Sequence, residues 1–214
     1  MKIEFNNIIP NPIKNEMSLS GELWGKKNEF NSSENTIIDA CSGKGKSTFT
    51  SLVAGLRFDY EGEILIDNRN IRTISKNDWS DLRRLKIAFI FQDLQLFDKL
   101  TVEENLLIKN RLTDFKKEVE IKEFLELFGL ENKWKQPCGT LSLGQQQRIA
   151  IIRALLQPAD FLIMDEPFSH LDDNNIKIAL NLIKDQTLSN KTGVILTTLG
   201  QHYNIEWHKK IQIA

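Results

Sequence analysis

Ala40-Cys41-Ser42-Gly43-Lys44-Gly45-Lys46-Ser47-Thr48 follows the apolar run Thr36-Ile37-Ile38 and precedes a segment, Phe49 to Leu56, that reads as a helix. A strand, a small-residue loop and a helix in that order form a phosphate nest. The loop N–H groups and the orphan N–H groups of the helix start point into one concavity. Ser42, Gly43, Lys44, Gly45, Lys46, Ser47 and Thr48 are therefore candidate nucleotide-binding residues. Lys46 would reach the β- and γ-phosphates, and the Ser47 hydroxyl would be an oxygen ligand for Mg²⁺. The usual pattern, G-x-x-x-x-G-K-[ST], opens on glycine, whereas position 40 is alanine. Gly43 and Gly45 stand where backbone must approach phosphate, so the loop reads as a working variant. A Gly/Ser/Lys surface loop is the bland alternative, and the rest of the chain decides between them.

At 214 residues the chain is one to two domains and long enough to bury a full core. Its 28 Lys+Arg against 29 Asp+Glu offer no argument for a nucleic-acid partner or an anionic membrane surface. No apolar run approaches the ~20 residues needed to span a bilayer. The start, Met1-Lys2-Ile3-Glu4-Phe5-Asn6-Asn7, lacks the apolar core of a signal peptide. Cys41 and Cys138 have no metal-binding spacing, and a disulfide at Cys41 would distort the nest. Both are expected as free thiols, which fits a reducing cytoplasm. Any membrane role must come through a partner.

The first ~35 residues read as an edge sheet of strands and turns, with apolar pieces at Ile3–Phe5, Met17–Leu23 and Glu29-Phe30. Strand-helix alternation follows. Gly62–Asp67 reads as a strand, Trp79–Leu85 as a short helix and Lys86–Phe91 as a buried strand. From Thr101 to about Phe128 apolar residues recur at helical spacing behind the capping-box-like Thr101-Val102-Glu103-Glu104, with Val119, Ile121, Phe124, Leu125 and Phe128 on one face. Gly129 closes that block as a left-handed cap. Ser142–Leu156 is a further helix, Ala159–Met164 a fully apolar strand, Asn174–Leu188 a helix, and Gly193–Leu196 and Lys210–Ile213 the last strands. This order predicts an α/β fold: a mainly parallel sheet with flanking helices, an N-terminal antiparallel edge sheet, and an inserted α-helical subdomain from about residue 92 to 155.

A nucleotide loop needs a second Mg²⁺-site carboxylate at the end of a neighbouring buried strand, and Phe161-Leu162-Ile163-Met164-Asp165 supplies Asp165 there. Glu166 follows at once, where a carboxylate can take a proton from attacking water. Leu141-Ser142-Leu143-Gly144-Gln145-Gln146-Gln147-Arg148 is the most specific stretch. Ser142 caps a helix there, leaving N–H groups and a hydroxyl at its positive end as a second anion site. An ordinary capped helix with a Gln-rich solvated face is its bland reading.

Together these motifs resemble the nucleotide-binding subunit of an ATP-binding-cassette (ABC) transporter, in family order over about residues 36 to 198. The phosphate loop is Ala40–Thr48. The glutamine loop is Phe91-Gln92-Asp93. Leu141-Ser142-Leu143-Gly144-Gln145 resembles the signature, with Leu143 where the family has glycine. Asp165-Glu166-Pro167 resembles the Walker B aspartate and catalytic glutamate, and Ser169-His170-Leu171-Asp172 the D-loop. The resemblance implies one P-loop NTPase domain over 1–214, with 1–91 and 156–214 as the core and 92–155 as the helical subdomain. It implies a Mg²⁺-dependent ATPase in which Lys46, Gln92 and Glu166 are catalytic, Thr48 contacts the α-phosphate, and Ser47, Gln92 and Asp165 serve the metal. Ser142, Leu143, Gly144 and Gln145 would face ATP on a second copy or a homologous ATPase subunit, paired head-to-tail. Asp172 would couple the two sites. A permease would dock near residues 92–105, where Leu94, Leu96 and Phe97 are either docking groove or core. The chain would then be cytoplasmic and peripheral at the inner face of the membrane. Its compactness and Leu100–Asn105 resemble small exporter and lipoprotein-releasing ATPases.

Three departures stand out: Ala40 at the opening glycine, Leu199 at the switch histidine, and no aromatic between Asn6 and Leu19 to stack on adenine. His202 is a substitute for the switch, and Phe5, Trp24 and Phe30 are substitutes for the stack. Losing the histidine implies slow hydrolysis. The same module also serves regulatory ATPases of the cell-division type, soluble ABC proteins of DNA repair or translation, and degenerate binding modules. A single cassette, no coiled-coil insert between Phe91 and Ser142, and intact Lys46, Asp165 and Glu166 speak against the last two.

Overall fold

A computed structural model describes residues 1–14, 21–41, 43–201 and 203–213. Ser42, His202 and residues 17–20 of the Met17–Leu23 piece lie outside the described residues. The chain opens with β1 (Lys2–Pro10) and β2 (Lys27–Asn31), then β3 (Thr36–Ala40) leads through the phosphate loop into α1 (Lys46–Val53). There follow β4 (Tyr60–Ile66), β5 (Arg69–Asn70), α2 (Lys76–Leu85) and β6 (Ile87–Ile90). Three helices come next: α3 (Val102–Asn110), α4 (Glu118–Leu127) and α5 (Leu143–Ala154). The last elements are β7 (Phe161–Asp165), α6 (Asp173–Asn190), β8 (Gly193–Thr198) and β9 (Lys209–Ile213).

Two sheets result. An antiparallel one runs β2-β1-β4-β5, and a five-stranded parallel one runs β6-β7-β8-β3-β9. This is the P-loop NTPase architecture expected of the pattern, with an antiparallel edge sheet and helices inserted between β6 and β7. Side chains on successive strand residues point to opposite faces. On β7, Phe161 and Ile163 join a core shared with α1 and the antiparallel sheet, while Leu162 and Met164 join a core shared with α3, α4 and α5. A strand buried on both faces reads as a continuous apolar run, which is why β7 was legible as an interior strand.

Four local expectations are corrected. The Thr101–Phe128 block is two helices, because the chain turns after Asn110, whose amide donates to Lys116 O (2.8 Å) and accepts from Lys116 N (3.0 Å). Val119 is 58% exposed rather than on the buried face. It lies two residues before Ile121, about 200° round a 3.6-residue helix. The helix after the phosphate loop starts at Lys46 and not Phe49, so its first N–H groups belong to the loop itself. Finally, β8 lies between the strands that end at Ala40 and Asp165, which are second neighbours and not adjacent.

Candidate functional site

Phe49 anchors α1. Its ring lies 5.2 Å from Phe5 and 5.4 Å from Phe30, so an aromatic cluster from β1 and β2 holds the helix that carries the loop. Beneath the loop lies Trp24, buried, its indole N–H donating to Lys44 O at 3.2 Å. Gly45 caps α1 at φ 95°, a left-handed conformation that disfavours side chains, and a Cβ there would stand 2.8 Å from Ile13 Cδ1 and 3.1 Å from the Trp24 ring. Phe5, Trp24 and Phe30 are thus all buried core, which removes them as stacking platforms for adenine. Ala40, by contrast, is a paired strand residue in register with Ile213 and has no left-handed φ, so the backbone there does not call for glycine.

The Lys46 ammonium is buried and held by the loop carbonyls of Ala40 (2.8 Å) and Cys41 (3.1 Å) and by an ion pair with Glu166 Oε1 at 3.4 Å. Glu166 itself sits at φ 47°, a left-handed conformation that costs a non-glycine residue on the order of 1–3 kcal/mol. Its N–H donates to Thr197 O (3.2 Å), and its carbonyl accepts from Gln147 Nε2 (3.4 Å). Asp165, at the buried end of β7, accepts from the Thr197 hydroxyl at 2.5 Å, a bond that the direct Asp165–Thr197 register across β7 and β8 makes possible. The Ser47 hydroxyl donates to Gln92 Oε1 at 3.2 Å. Ser47, Gln92 and Asp165 line one cleft of about 890 Å³. Hard oxygen donors, few in number and beside a phosphate loop, are the set Mg²⁺ takes, since it keeps waters and phosphate oxygens for its other positions. The donors present fit the metal.

The signature residues form a second group. Ser142 Oγ accepts from Gln145 N (3.3 Å) and Gln145 Oε1 accepts from Ser142 N (3.0 Å), a complete capping box that leaves the hydroxyl proton of Ser142 free to donate. Leu143 points outward and is 58% exposed. Gly144 packs so tightly on the D-loop that a Cβ would stand 2.7 Å from His170 O. Among the described residues, none of these four is hydrogen-bonded to the phosphate loop, whereas ion pairing, hydrogen bonding and the shared cleft bring Lys46, Ser47, Gln92, Asp165 and Glu166 together. Asp172 caps α6 by accepting from Asn175 N (2.8 Å), a bond that holds its carboxyl below the usual range. Thr48 and Lys44 are half-buried on the loop.

Two residues of this site went unread in the sequence. Thr197 holds Asp165, and its signal was a hydroxyl at the end of an apolar strand. Gln147, 1% exposed, donates to Glu166 O and Ser169 Oγ and accepts from His170 N (2.8 Å), so the Gln-rich face is partly buried against the D-loop and not wholly solvated. Of the cleft-side residues, Leu94 is buried core and Leu96 is partly buried against it, whereas Phe97 is 54% exposed on the rim. Both cysteines are free. No helix among the described residues is long and apolar enough to cross a membrane.

The model of the ABC transporter family matches residues 27–169. Over 168 residues the chain is 37% identical to the lipoprotein-releasing system ATP-binding protein LolD of Buchnera aphidicola subsp. Schizaphis graminum, spanning 76% of this chain and 72% of that protein. It is 43% identical over 131 residues to the aliphatic sulfonates import ATP-binding protein SsuB of Bacillus cereus, spanning 61% of this chain and 49% of that one. Its fold is similar to the dimeric, post-hydrolysis structure of the ATP-binding cassette MJ0796 bound to ADP and Pi, with a TM-score of 0.76, 26% identity, and coverage of 92% and 87% of the two chains.

Proposed function

The chain belongs to the ABC transporter family as an ATP-binding and ATP-hydrolysing subunit, and from that premise we propose how its residues divide the work. The observation that carries the proposal is the Lys46–Glu166 ion pair at 3.4 Å, which joins the phosphate loop to the end of β7. Phosphate oxygens entering the nest, between Ser42 and Thr48, replace Ala40 O, Cys41 O and Glu166 as partners of the Lys46 ammonium. Glu166 is thereby released to accept the proton of the water that attacks the γ-phosphate. Ser47, Gln92 and Asp165 would hold Mg²⁺, and the Thr197 hydroxyl positions the Asp165 carboxylate for it. When bound, the metal would supply positive charge against the charge that develops on the terminal phosphates.

That Ser142–Gln145 make no hydrogen bond to the phosphate loop of their own copy supports a composite site: two cassettes pair head-to-tail, and Ser142 and Gly144 of one close on the γ-phosphate held by the other. Asp172 would couple the two sites across that interface. The division into a core of residues 1–91 and 156–214 and a helical subdomain of residues 92–155 lets the two anion sites move relative to each other. A membrane permease docks near residues 92–105, where Phe97 stands exposed at the rim of the cleft beside Gln92, and so holds the chain at the cytoplasmic face of the membrane. The relatives act on different cargo in different directions, and cargo choice belongs to that permease.

Replacing Glu166 by glutamine tests the assignment. MgATP binding is expected to persist, turnover to fall about 100-fold or more, and an ATP-dependent dimer to appear by sedimentation. Unchanged turnover would remove Glu166 from catalysis. For the slow-hydrolysis expectation, Leu199→His should raise kcat several-fold, and a lower or equal rate counts against it.

A further inference from the structure

Leu143 and Leu199 are two residues that depart from the family pattern and to which the site gives no role. Both are large, apolar and more than half exposed, at 58% and 51%. Single exposed leucines are ordinary on a protein surface. These two differ in where they stand and how firmly they are held. Leu143 is the first residue of α5, between Ser142 and Gly144, on a turn locked by the Ser142–Gln145 capping box. Leu199 follows directly on β8, next to Thr198, whose hydroxyl accepts from Gln201 N (3.2 Å) and donates to Gln201 O (3.1 Å).

The two also lie on one continuous rim. Gly144 abuts His170, Gln147 reaches Glu166 and Ser169, the Phe168 ring meets Tyr203 edge-on at 4.7 Å, and Glu166 N bonds Thr197 O. The start of α5, the loop from Glu166 to His170 and the end of β8 are therefore joined edge to edge, with one leucine at each end of the joined strip.

We propose that Leu143 of one copy packs on Leu199 of a second copy of this chain, once on each side of a two-fold axis, as an apolar seal over the terminal phosphate. The inference rests on the head-to-tail reading above. If Ser142 and Gly144 meet the other copy's γ-phosphate, the outward side chain between them faces that copy too. The other copy presents Leu199 at the carboxyl end of the sheet, just past the strand that pairs with Asp165. An isologous interface makes each such contact twice. Leucine offers a phosphate no hydrogen bond, so its contribution is to exclude water from the closed site and to add buried apolar area to the interface. The occupant is a second copy of this chain, because two-fold pairing of identical chains brings one Leu143 and one Leu199, both exposed, to each composite site. Both are held on bonded backbone before association, which limits the ordering cost of binding.

Sedimentation equilibrium of the Glu166→Gln protein with MgATP is the test, with Leu143→Ala and Leu199→Ala added singly and together. Each single change should weaken the dimer about tenfold, and the pair should weaken it scarcely more than one alone, as residues in contact are non-additive. Thermal unfolding without nucleotide should stay unchanged, since both side chains are exposed in one copy. Independent effects that multiply to about a hundredfold, or a dimer indifferent to either change, would overturn the leucine contact while leaving head-to-tail pairing intact. A Glu166→Gln protein that stays monomeric with MgATP would overturn that pairing and the contact with it.

Discussion

Lys109 shows how a single residue reports on its surroundings. It lines the same cleft as Ser47 and Gln92, and burial, with Arg153 nearby, pulls its ammonium down to about 8. A lysine with a lowered folded-state value is penalised while charged. Between pH 8 and the ordinary lysine range the unfolded chain holds the proton and the folded chain does not, so stability rises with pH across that window. Lys109→Met should therefore be more stable than the native protein at pH 7, by on the order of 1–3 kcal/mol. The difference should shrink as pH climbs past 8. Thermal melts of both proteins at matched pH check this, and a constant difference across the range would show that Lys109 is not desolvated. Cys138 responds to burial in the opposite chemical sense, its thiol pushed up to about 11, so it stays protonated and inert.

Helix α3 illustrates what an element does beyond packing. Thr101 and Glu104 close a reciprocal capping box at its start. Asn105, 1% exposed, accepts from Phe97 N (2.9 Å) and donates to Phe97 O (3.1 Å), Leu100 O (3.2 Å) and Cys138 Sγ (3.2 Å). One amide thus ties the segment that follows Gln92 to the helix behind it. The sequence Thr101-Val102-Glu103-Glu104 pointed to a helix start, yet the role of Asn105 was hidden, because a polar residue inside a helix reads as a solvated position until its partners are known. Thr101→Ala should cost about 1 kcal/mol as a lost cap, and Asn105→Ala about 2–3 kcal/mol, since it strands buried backbone groups. Chemical denaturation resolves the two, and equal costs would mean that the amide does not hold the loop.

Across the whole molecule, α5 links the Ser142 turn, the end of β7 and the segment after Gln92. Its start carries Ser142 and Gly144, and Gln147 touches the backbone of Glu166. Near its end Arg153, largely buried, donates to Leu94 O and Gln95 O at 2.7 Å each. Leu94 and Gln95 are both left-handed, at φ 59° and 52°, a conformation that needs outside support in residues other than glycine. The segment they belong to begins at Gln92, which bonds Ser47 on the phosphate loop. Arg153→Met keeps the length and removes the support. Amide exchange at residues 92–97 should then quicken about tenfold or more, a rise that matches the loss of at least one charged hydrogen bond. Unchanged exchange would show that the turn holds itself. The same helix thus meets both Glu166 and the Gln92 segment.

Sequence alone determined the parts whose meaning is local. The nest from Ala40 to Thr48, the apolar strand ending in Asp165 and Glu166, and the capped start at Ser142 each declare themselves through periodicity, small residues and caps. Their order along the chain identified the fold. Only the tertiary structure decided what depends on neighbours distant in sequence. It placed β8 between the strands of Ala40 and Asp165, which made Thr197 the partner of Asp165. It buried Trp24 beneath the loop and Gln147 against Glu166, and it cleared Ala40 by showing ordinary strand backbone there. The physical reason is that side-chain periodicity says which face of an element is buried but not what it is buried against. Strand order and the pairing of polar groups follow from packing among segments far apart in the chain.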